Sequence, residues 1–316
     1  MLLMCKNTPV YNITTDEVLN HALMPGTLAI EPSKENFKIW SQSRYSSISN
    51  IASRRLQGSI FGQGNRQFID RRTRSFSLSD CYWIKQEDDP VRFADCSPYL
   101  SPFWKGNALY NGESIPTLYT DGYLSKWWEN SEWLIKSTYN PEIGRSAEET
   151  AGVEVDCCNL CKVAGVPVCD IVRRDETHIA IRNFTSADIM LEPADTSGRI
   201  DTADFTLDDV LEVFGESGAK MITVDSIIGN IDRHAGNFGF LRDSNTGLYL
   251  GMAPLFDFDH GLSNDNNSLI QNAAIALKKS NWLNCCVEIA EIVTISEVRN
   301  EFKHRADLLL KFLLNH

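Results

Sequence analysis

One short segment, SIIGNIDRHAGNFGF at residues 226–240, concentrates charged and hydrogen-bonding side chains between apolar flanks. Asp232 lies five positions before Asn237 in this segment. A second acidic segment, PLFDFDHG, follows at the end of an apolar run and carries Asp257 and Asp259. Carboxylate and amide oxygens are the hard ligands that Mg²⁺ prefers, and phosphate oxygens commonly complete its coordination. The two segments therefore predict a site for a divalent cation and a phosphate.

Phosphoryl transfer from ATP is the chemistry that fits these residue types. It needs a carboxylate to orient and deprotonate the acceptor hydroxyl, oxygen ligands for Mg²⁺, and a cation that fixes the nucleotide. Asp232 could be the first, and Asn237 with Asp257 or Asp259 could be the second. A surface turn is the alternative interpretation, because Asp and Asn five residues apart occur in many loops.

The nucleotide cation is predicted at Lys136, which lies inside the apolar strand WLIKS. A lone buried ammonium is costly, so an anionic partner is expected on the helix that follows. Glu154 is the preferred partner, and Glu149 is the second choice. Taken alone, Lys136 would be typical of an edge strand.

The turn TDGYLSK, residues 120–126, is predicted to contact a phosphate. Gly122 tolerates backbone conformations that other residues avoid, so N–H groups of the turn can point at an anion, together with Lys126. Alone, an Asp-Gly turn indicates only a hairpin. The ordered series Lys, Glu, Asp, Asn and Asp, spread over two successive parts of the chain, favours the functional interpretation.

The elements that must position these residues form a β-rich part followed by a mainly helical part. SEWLIKSTY is a strand, and SAEETAGVEVDCCNLCKVAG is a helix that begins with Ser146 and Glu149 in capping-box spacing and stops at Gly165. VPVCDIVRRDETHIAIRNF is a strand pair, DFTLDDVLEVFGE and AKMITVDSIIGNI are helical, and NFGFLRD pairs with LYLGMAPLFDF. The predicted fold class is α+β.

We predict three regions along the 316 residues. Residues 1–105 form an N-terminal accessory part of the N-lobe, residues 106–183 form a β-rich ATP-binding lobe, and residues 184–316 form a helical catalytic lobe. The stretch from Ser43 to Ser77 is rich in Arg and Ser, and is predicted to be a solvated arm, with a basic surface for phosphate or a partner as the alternative. Cys157, Cys158 and Cys161 are expected in the core rather than in a metal site.

Bulk composition excludes several classes of protein. The net charge of −12 argues against a nucleic-acid-binding surface, and no apolar run approaches the length of a membrane span. The first residues do not form a secretory signal, and nine cysteines without framework spacing fit free thiols. We therefore expect a cytoplasmic protein, which leaves open export by a route that needs no signal peptide.

GNIDRHAGNFGFL followed by APLFDFDHGL resembles the catalytic and metal-binding segments of HipA-like bacterial serine/threonine kinases. LYTDGYLSKWW with EWLIKS, and the helix that ends in AGVPV, are similar to the phosphate loop, nucleotide lysine and lobe helix of that family. The resemblance covers roughly residues 75–262. It implies a two-lobed fold like that of protein kinases and phosphatidylinositol kinases, and ATP and Mg²⁺ as cofactors.

By this resemblance, Asp232 is the catalytic base, Asn237 and Asp257 are Mg²⁺ ligands, and Lys136 holds the ATP phosphates. Asp259 stands where the larger kinases have a glycine, so either or both carboxylates could take the metal. The family also implies an adenine-binding hinge near Ile181 to Phe184. That hinge includes Asn183 and Phe184.

The resemblance implies a protein substrate with a Ser or Thr acceptor, and suggests autophosphorylation and an antitoxin-like inhibitor as part of a toxin–antitoxin system. RRTRSFSLSD is one segment where phosphorylation could occur. Two other functions share the same residues and stay open: a kinase for a small molecule or a lipid, and a nucleotide-binding pseudokinase that acts by contact. The intact set of Lys136, Asp232, Asn237 and Asp257 argues against the pseudokinase.

Overall fold

The computed structural model describes residues 1–43, 74–101, 109–110, 113–114, 124–141, 143–200, 205–263 and 267–315. The N-terminal elements are β1 (Leu2–Cys5), β2 (Thr8–Asn12), β3 (Glu17–Val18), α1 (Gly26–Ile30), α2 (Lys34–Ser43), β4 (Tyr82–Lys85) and α3 (Phe93–Cys96). The central elements are β5 (Leu109–Tyr110), β6 (Glu113–Ser114), β7 (Lys126–Glu129), β8 (Trp133–Ser137), α4 (Ala147–Val163), β9 (Ile171–Arg173) and β10 (His178–Arg182). The C-terminal elements are β11 (Ile189–Pro193), α5 (Ala194–Ser197), α6 (Leu207–Phe214), α7 (Glu216–Ile228), β12 (Gly239–Asp243), β13 (Tyr249–Met252), α8 (Ser268–Lys278), α9 (Leu283–Ile295) and α10 (Asn300–Leu314).

The strands form antiparallel sheets in the orders β3-β2-β1-β4, β7-β8-β10-β9 and β11-β12-β13, with β5 and β6 paired separately. In the second sheet β8 is central, so Lys136 lies opposite Lys126 on one side and Ile179 on the other. Its side chain is only 1% exposed. The edge-strand alternative for Lys136 is therefore wrong, because a central strand is covered by its neighbours on both sides.

Helix α4 begins and ends where the sequence predicts. The Ser146 hydroxyl accepts the Glu149 N–H at 3.2 Å, and the Glu149 carboxylate accepts the Ser146 N–H at 3.0 Å. Gly165 takes a left-handed conformation, φ 66°, just after the helix ends. Because its carboxylate closes this capping box, Glu149 is not the partner of Lys136, and that second choice is wrong.

Helix α7 leads into the polar loop and ends sharply at Gly229. The left-handed φ of 73° at Gly229 turns the chain out of the helix. Arg305 from α10 packs against this end and donates to the carbonyl of Ser226 at 2.9 and 3.2 Å. A cation at the carboxyl end of a helix is favourable because the last carbonyls carry partial negative charge. A Cβ at Gly229 would lie 3.2 Å from the Arg305 guanidinium carbon, so the position has little room for a side chain.

The N-terminal part is held against the third sheet by Arg242 on β12. Arg242 and Glu192 are both buried and pair at 2.9 Å. The same guanidinium donates to three carbonyl oxygens, on Met24 at 2.7 Å, Ala22 at 2.8 Å and Gly247 at 2.8 Å. One side chain thus joins the segment before α1, strand β11 and the β12–β13 turn.

The α+β class, with a β-rich N-terminal lobe and a mainly helical C-terminal lobe, is confirmed. The boundaries at residues 105 and 183 remain a prediction. The third sheet lies beyond residue 183, and residues 22–26 contact it through Arg242 and Glu192. Residues 44–73 of the predicted basic arm, and the strand and turn predicted at 117–123, lie outside the described residues.

The structure also bears on two predictions, one about the cysteines and one about membrane-spanning segments. Cys157, Cys158 and Cys161 are buried in the core, and all nine cysteines are free thiols, as predicted. Burial raises the pKa of the Cys157 thiol well above its ordinary value. Among the described helices, none combines the length and apolar character that crossing a membrane requires.

Replacing Arg242 with Met should destabilise the protein and loosen its N-terminal part, because Glu192 would stay buried without its cation. Removal of one partner from a buried pair typically costs about 3–5 kcal/mol of unfolding free energy. Urea denaturation would measure the loss, and limited proteolysis would show faster cleavage within residues 1–43. Arg173→Met is the matched control, since its ion pair with Glu148 is exposed and should contribute little. Equal stability of the two variants would contradict the assignment.

Candidate active site

A cleft of about 520 Å³ lies where the second sheet, the third sheet and the polar loop meet. Its lining includes Lys136 from β8, Asp232 and Asn237 from the loop after α7, and Asp257 and Asp259 from the segment after β13. The structure thus brings together five predicted site residues that are far apart in the sequence. A volume of this size is typical of pockets for small ligands and cofactors.

Lys136 is the centre of charge in this cleft. Its ammonium contacts Glu154 Oε1 at 3.0 Å, Asp257 Oδ1 at 2.5 Å and Asp259 Oδ2 at 3.5 Å. The predicted pairing of Lys136 with Glu154 is present, and Glu154 is fully buried. One ammonium therefore faces three carboxyl groups from two other elements of the fold.

The pKa values in this cluster follow from burial and from the neighbouring charges. Burial alone would lower the pKa of Lys136, but Asp257 and Glu154 outweigh it and hold that pKa well above its ordinary value. Burial raises the pKa of Glu154 to about 7, although Lys136 opposes the shift. Burial would also raise the pKa of Asp257, yet Lys136 and Lys126 hold it well below its usual range. At neutral pH the Lys136 ammonium is therefore charged and the Asp257 carboxylate is ionised.

Arg233 fixes the polar loop to its surroundings. Its guanidinium makes a bidentate pair with Asp225 of α7 at 2.9 and 3.0 Å. The remaining contacts are to the carbonyls of Asn237 at 2.9 Å and Phe256 at 2.6 Å. Arg233 thus pairs both with an aspartate and with two backbone carbonyls. A planar, rigid cation suits this role, because it joins the loop, the helix and the residue before Asp257.

Hydrogen bonds within the loop also stabilise its conformation. The side-chain amide of Asn237 donates to the carbonyl of Asp232 at 3.1 Å, so its oxygen is the atom left to offer a cation. The N–H of Asp232 donates to Asn230 Oδ1 at 3.1 Å, while its half-buried carboxylate lines the cleft. His234 is exposed, and its Nδ1 accepts the Gly236 N–H at 3.1 Å, a hydrogen bond that braces the loop.

The segment after β13 turns back tightly on itself. Asp257 has a left-handed φ of 62°, which is strained for a residue with a Cβ and is commonly found at functional sites. The next N–H, from Phe258, donates to Glu154 Oε2 at 3.4 Å, and the Gly261 N–H donates to the Phe258 carbonyl at 2.8 Å. Glu154 thus contacts both Lys136 and this turn.

The turn brings Asp259 and His260 next to Asp232. One ligand atom from each of the three side chains lies within 4.8 Å of the other two. No role was predicted for His260 from the sequence, although His260 directly follows Asp259. Its position beside two acidic residues on an apolar run was the available signal.

Of the remaining predicted residues, some line the cleft and others do not. Lys126 lines the cleft on the strand next to Lys136, and Gly122 lies outside the described residues. Ile181 lines the cleft, whereas Asn183 and Phe184 are not among its described lining residues. The backbone N–H of Asn183 donates to Glu132 O at 2.7 Å, and Phe184 stacks on Phe256 with ring centroids 6.0 Å apart.

The residues present fit ATP and Mg²⁺. Carboxylate and amide oxygens are the donors that Mg²⁺ prefers, and two lysines beside them match the charge of a triphosphate. Apolar side chains that could cover a base line the same cleft, namely Leu124, Leu134, Ile181, Met190 and Phe256. A two-lobed α+β fold with these residue types in one cleft is compatible with the kinase class of protein.

Comparison with known proteins agrees with this class. No family model matches the chain. The chain is similar to the serine/threonine-protein kinase CtkA of Helicobacter pylori, with 27% identity over 160 residues, which cover 42% of this chain and 48% of that protein. The chain thus matches about half the length of this curated relative. The similarity confirms the resemblance to HipA-like serine/threonine kinases, and it supports a phosphotransferase.

Two solved structures are similar at low identity. The crystal structure of the Helicobacter pylori proinflammatory kinase CtkA has a TM-score of 0.38 and 17% identity, and the match covers 60% of this chain and 88% of that one. HipA of Shewanella oneidensis, solved with HipB and its operator DNA, has a TM-score of 0.49 and 13% identity, with coverage of 100% and 97%.

Replacing Lys136 with Met should destabilise the protein at neutral pH by about 3–5 kcal/mol, because three carboxyl groups lose their shared cation. The loss should shrink as the pH falls. The pKa of Glu154 is already raised to about 7, and without Lys136 it rises further. When a carboxyl group has a raised pKa in the folded state, the protein becomes more stable as the pH falls towards the pKa that the group has in the unfolded chain.

Urea denaturation of this variant at pH 8 and pH 6 tests the prediction. Lys162→Met is the control, since Lys162 of α4 pairs with Asp170 and both side chains are about half exposed. A Lys136→Met variant whose deficit is the same at both pH values would contradict the burial of uncompensated carboxyl groups.

Proposed function

We propose that this protein is an ATP- and Mg²⁺-dependent protein serine/threonine kinase of the HipA-like type, with Asp232 as its catalytic base. The main support is the convergence of Lys136, Asp232, Asn237, Asp257 and Asp259 on one cleft. Lys136 and Asp257 are in contact although 121 residues separate them in the sequence. Such a contact depends on the whole fold, and the similarity to a serine/threonine kinase supports the same reaction.

Each residue has a role in the proposed transfer. The Asp232 carboxylate accepts the proton of a Ser or Thr hydroxyl as the hydroxyl oxygen bonds to the terminal phosphorus, while the bond from that phosphorus to the leaving ADP oxygen breaks. Lys136 donates to the phosphates, with Lys126 nearby, and Glu154 keeps Lys136 oriented. Mg²⁺ bound by Asn237, Asp257 and Asp259 would supply positive charge to the phosphate oxygens.

The proposal extends to partners. Protein acceptors, autophosphorylation and an antitoxin-like inhibitor are included because the motifs resemble those of HipA-like kinases. A small-molecule or lipid kinase would share the same catalytic residues, and a pseudokinase would bind nucleotide without transfer. The experiment below separates these functions by where the label goes.

Incubation of the pure protein with γ-labelled ATP and Mg²⁺, alone and with a bacterial lysate, should label Ser or Thr residues. Asp232→Asn should lower incorporation by roughly 10²- to 10⁴-fold, the usual contribution of a general base, and leave nucleotide binding intact. Asp208→Asn, at an exposed position in the first turn of α6, is the control. Retained labelling in Asp232→Asn would reject the base, label found only in small molecules or lipids would favour that alternative, and nucleotide binding without label would favour the pseudokinase.

Asp257→Asn and Asp259→Asn should both weaken Mg²⁺-dependent binding of a fluorescent ATP analogue. The two substitutions differ in what they leave behind. Without Asp257, Lys136 loses its 2.5 Å partner but keeps Glu154, whereas without Asp259 the group formed with Asp232 and His260 is broken. We expect Asp259→Asn to shift the Mg²⁺ concentration required, and Asp257→Asn to weaken nucleotide binding at saturating Mg²⁺ as well. Identical Mg²⁺ titrations for wild type and both variants would reject both carboxylates as ligands.

A further inference from the structure

Arg145 connects the loop between β8 and α4 to the turn that carries Asp259. It directly precedes Ser146, the N-cap residue of α4. Its guanidinium donates to Asp259 O at 2.7 Å and to Gly261 O at 2.6 Å, with a longer contact to Ser263 Oγ at 3.5 Å. The two short bonds lie on either side of His260. One guanidinium therefore holds the peptide group between Asp259 and His260, and also the Gly261 carbonyl that follows.

The turn has little freedom on its other sides. The Leu262 N–H donates to the Ile228 carbonyl at 2.8 Å at the end of α7. A Cβ at Gly261 would lie 2.9 Å from Cys157 Sγ and 3.0 Å from the Phe258 carbonyl oxygen, so the backbone is packed closely there. Arg145 contributes the contact from the loop that joins Lys136 to α4. The acidic turn thus contacts Lys136 directly, and it is also held by Glu154 and by Arg145.

The contact of Arg145 with the turn has a cost in folding free energy that simple packing would not require. The Nε atom of Arg145 is buried and, within the described residues, has no hydrogen-bond partner. An unsatisfied buried donor opposes folding. Burial also lowers the pKa of Arg145 from its ordinary value. The guanidinium presents its N–H groups as a rigid planar fork, whereas the lysine ammonium is a compact point charge on a flexible stem, so lysine does not reproduce the geometry of these two contacts.

We propose that Arg145 is a positioning residue that orients Asp259 and His260 for a divalent cation. The inference rests on the proposed function, because it assumes that the acidic turn binds the metal. Partners that orient metal ligands typically change metal affinity by about 10- to 100-fold when they are removed. Arg145 is not among the described residues that line the cleft, and it acts through the backbone of the turn.

Titration of Mn²⁺ into the 316-residue protein, followed by the electron paramagnetic resonance signal of free Mn²⁺, tests this without any turnover. Arg145→Lys and Arg145→Gln should bind Mn²⁺ at least about tenfold more weakly than the wild type. Arg299→Lys is the matched control, because Arg299 pairs with Asp156 on the same helix α4 and, among the residues that the structure describes, makes no hydrogen bond to the turn. It should bind Mn²⁺ as the wild type does. Circular dichroism fixes a temperature at which every variant is folded.

A second readout separates positioning from general destabilisation. In the transfer assay, Arg145→Lys should need about tenfold more Mn²⁺ but regain the wild-type kcat at saturation, as expected when a residue outside the ligand set only tunes metal affinity. A lower kcat at saturating metal would assign Arg145 a merely structural role and overturn the inference. Equal Mn²⁺ affinity in wild type and Arg145→Lys would overturn it as well, and would leave the proposed function intact. A wild-type protein that binds no Mn²⁺ would overturn the proposed metal site, and this inference with it.

Discussion

The structure depends on keeping one ammonium group charged inside the protein. Lys136 is almost fully buried on a central strand, and such a group is tolerated only where anions surround it. Glu154 and Asp257 meet this condition from helix α4 and from the turn after β13. The position of that helix and that turn relative to β8 is thereby constrained. The same excess of carboxyl groups makes the cleft a place where more positive charge, such as a metal ion, would be stabilised.

Around this cluster, arginine side chains hold the loops that form the site. They do so where the loops lack side-chain packing. Arg233 ties the loop of Asp232 to α7 and to Phe256, and Arg145 ties the turn of Asp259 to the N-cap of α4. Each guanidinium satisfies backbone carbonyls that would otherwise be left without donors when water is excluded. The result is that polar loops, which usually move most, are held here by several charge-assisted hydrogen bonds each. Geometry of this kind is what catalysis by positioning requires.

The N-terminal part belongs to the site as well. Trp40 and Tyr82 line the cleft, and Arg242 and Glu192 connect this part to the third sheet at the cleft wall. From the sequence, residues 1–105 were predicted to be an N-terminal accessory part of the N-lobe. The hydrophobic pattern of this part is weak, because short strands with mixed burial show no strong hydrophobic periodicity. The long-range contacts of Arg242, up to 220 residues away in sequence, have no counterpart in local pattern.

The sequence by itself determined the local elements and the chemical types at the site. The capping box of α4, the stop at Gly165 and the strand around Lys136 depend on contacts between residues close in the chain, so they can be predicted from spacing. The resemblance to HipA-like kinases added the roles of Asp232 and Asn237. Only the tertiary structure decided that Glu154 rather than Glu149 meets Lys136, that Asp257 contacts the ammonium while Asp259 faces Asp232, and that Arg145 holds the turn. These outcomes depend on how separate elements pack, and no periodicity within one element encodes the side-chain directions that packing selects.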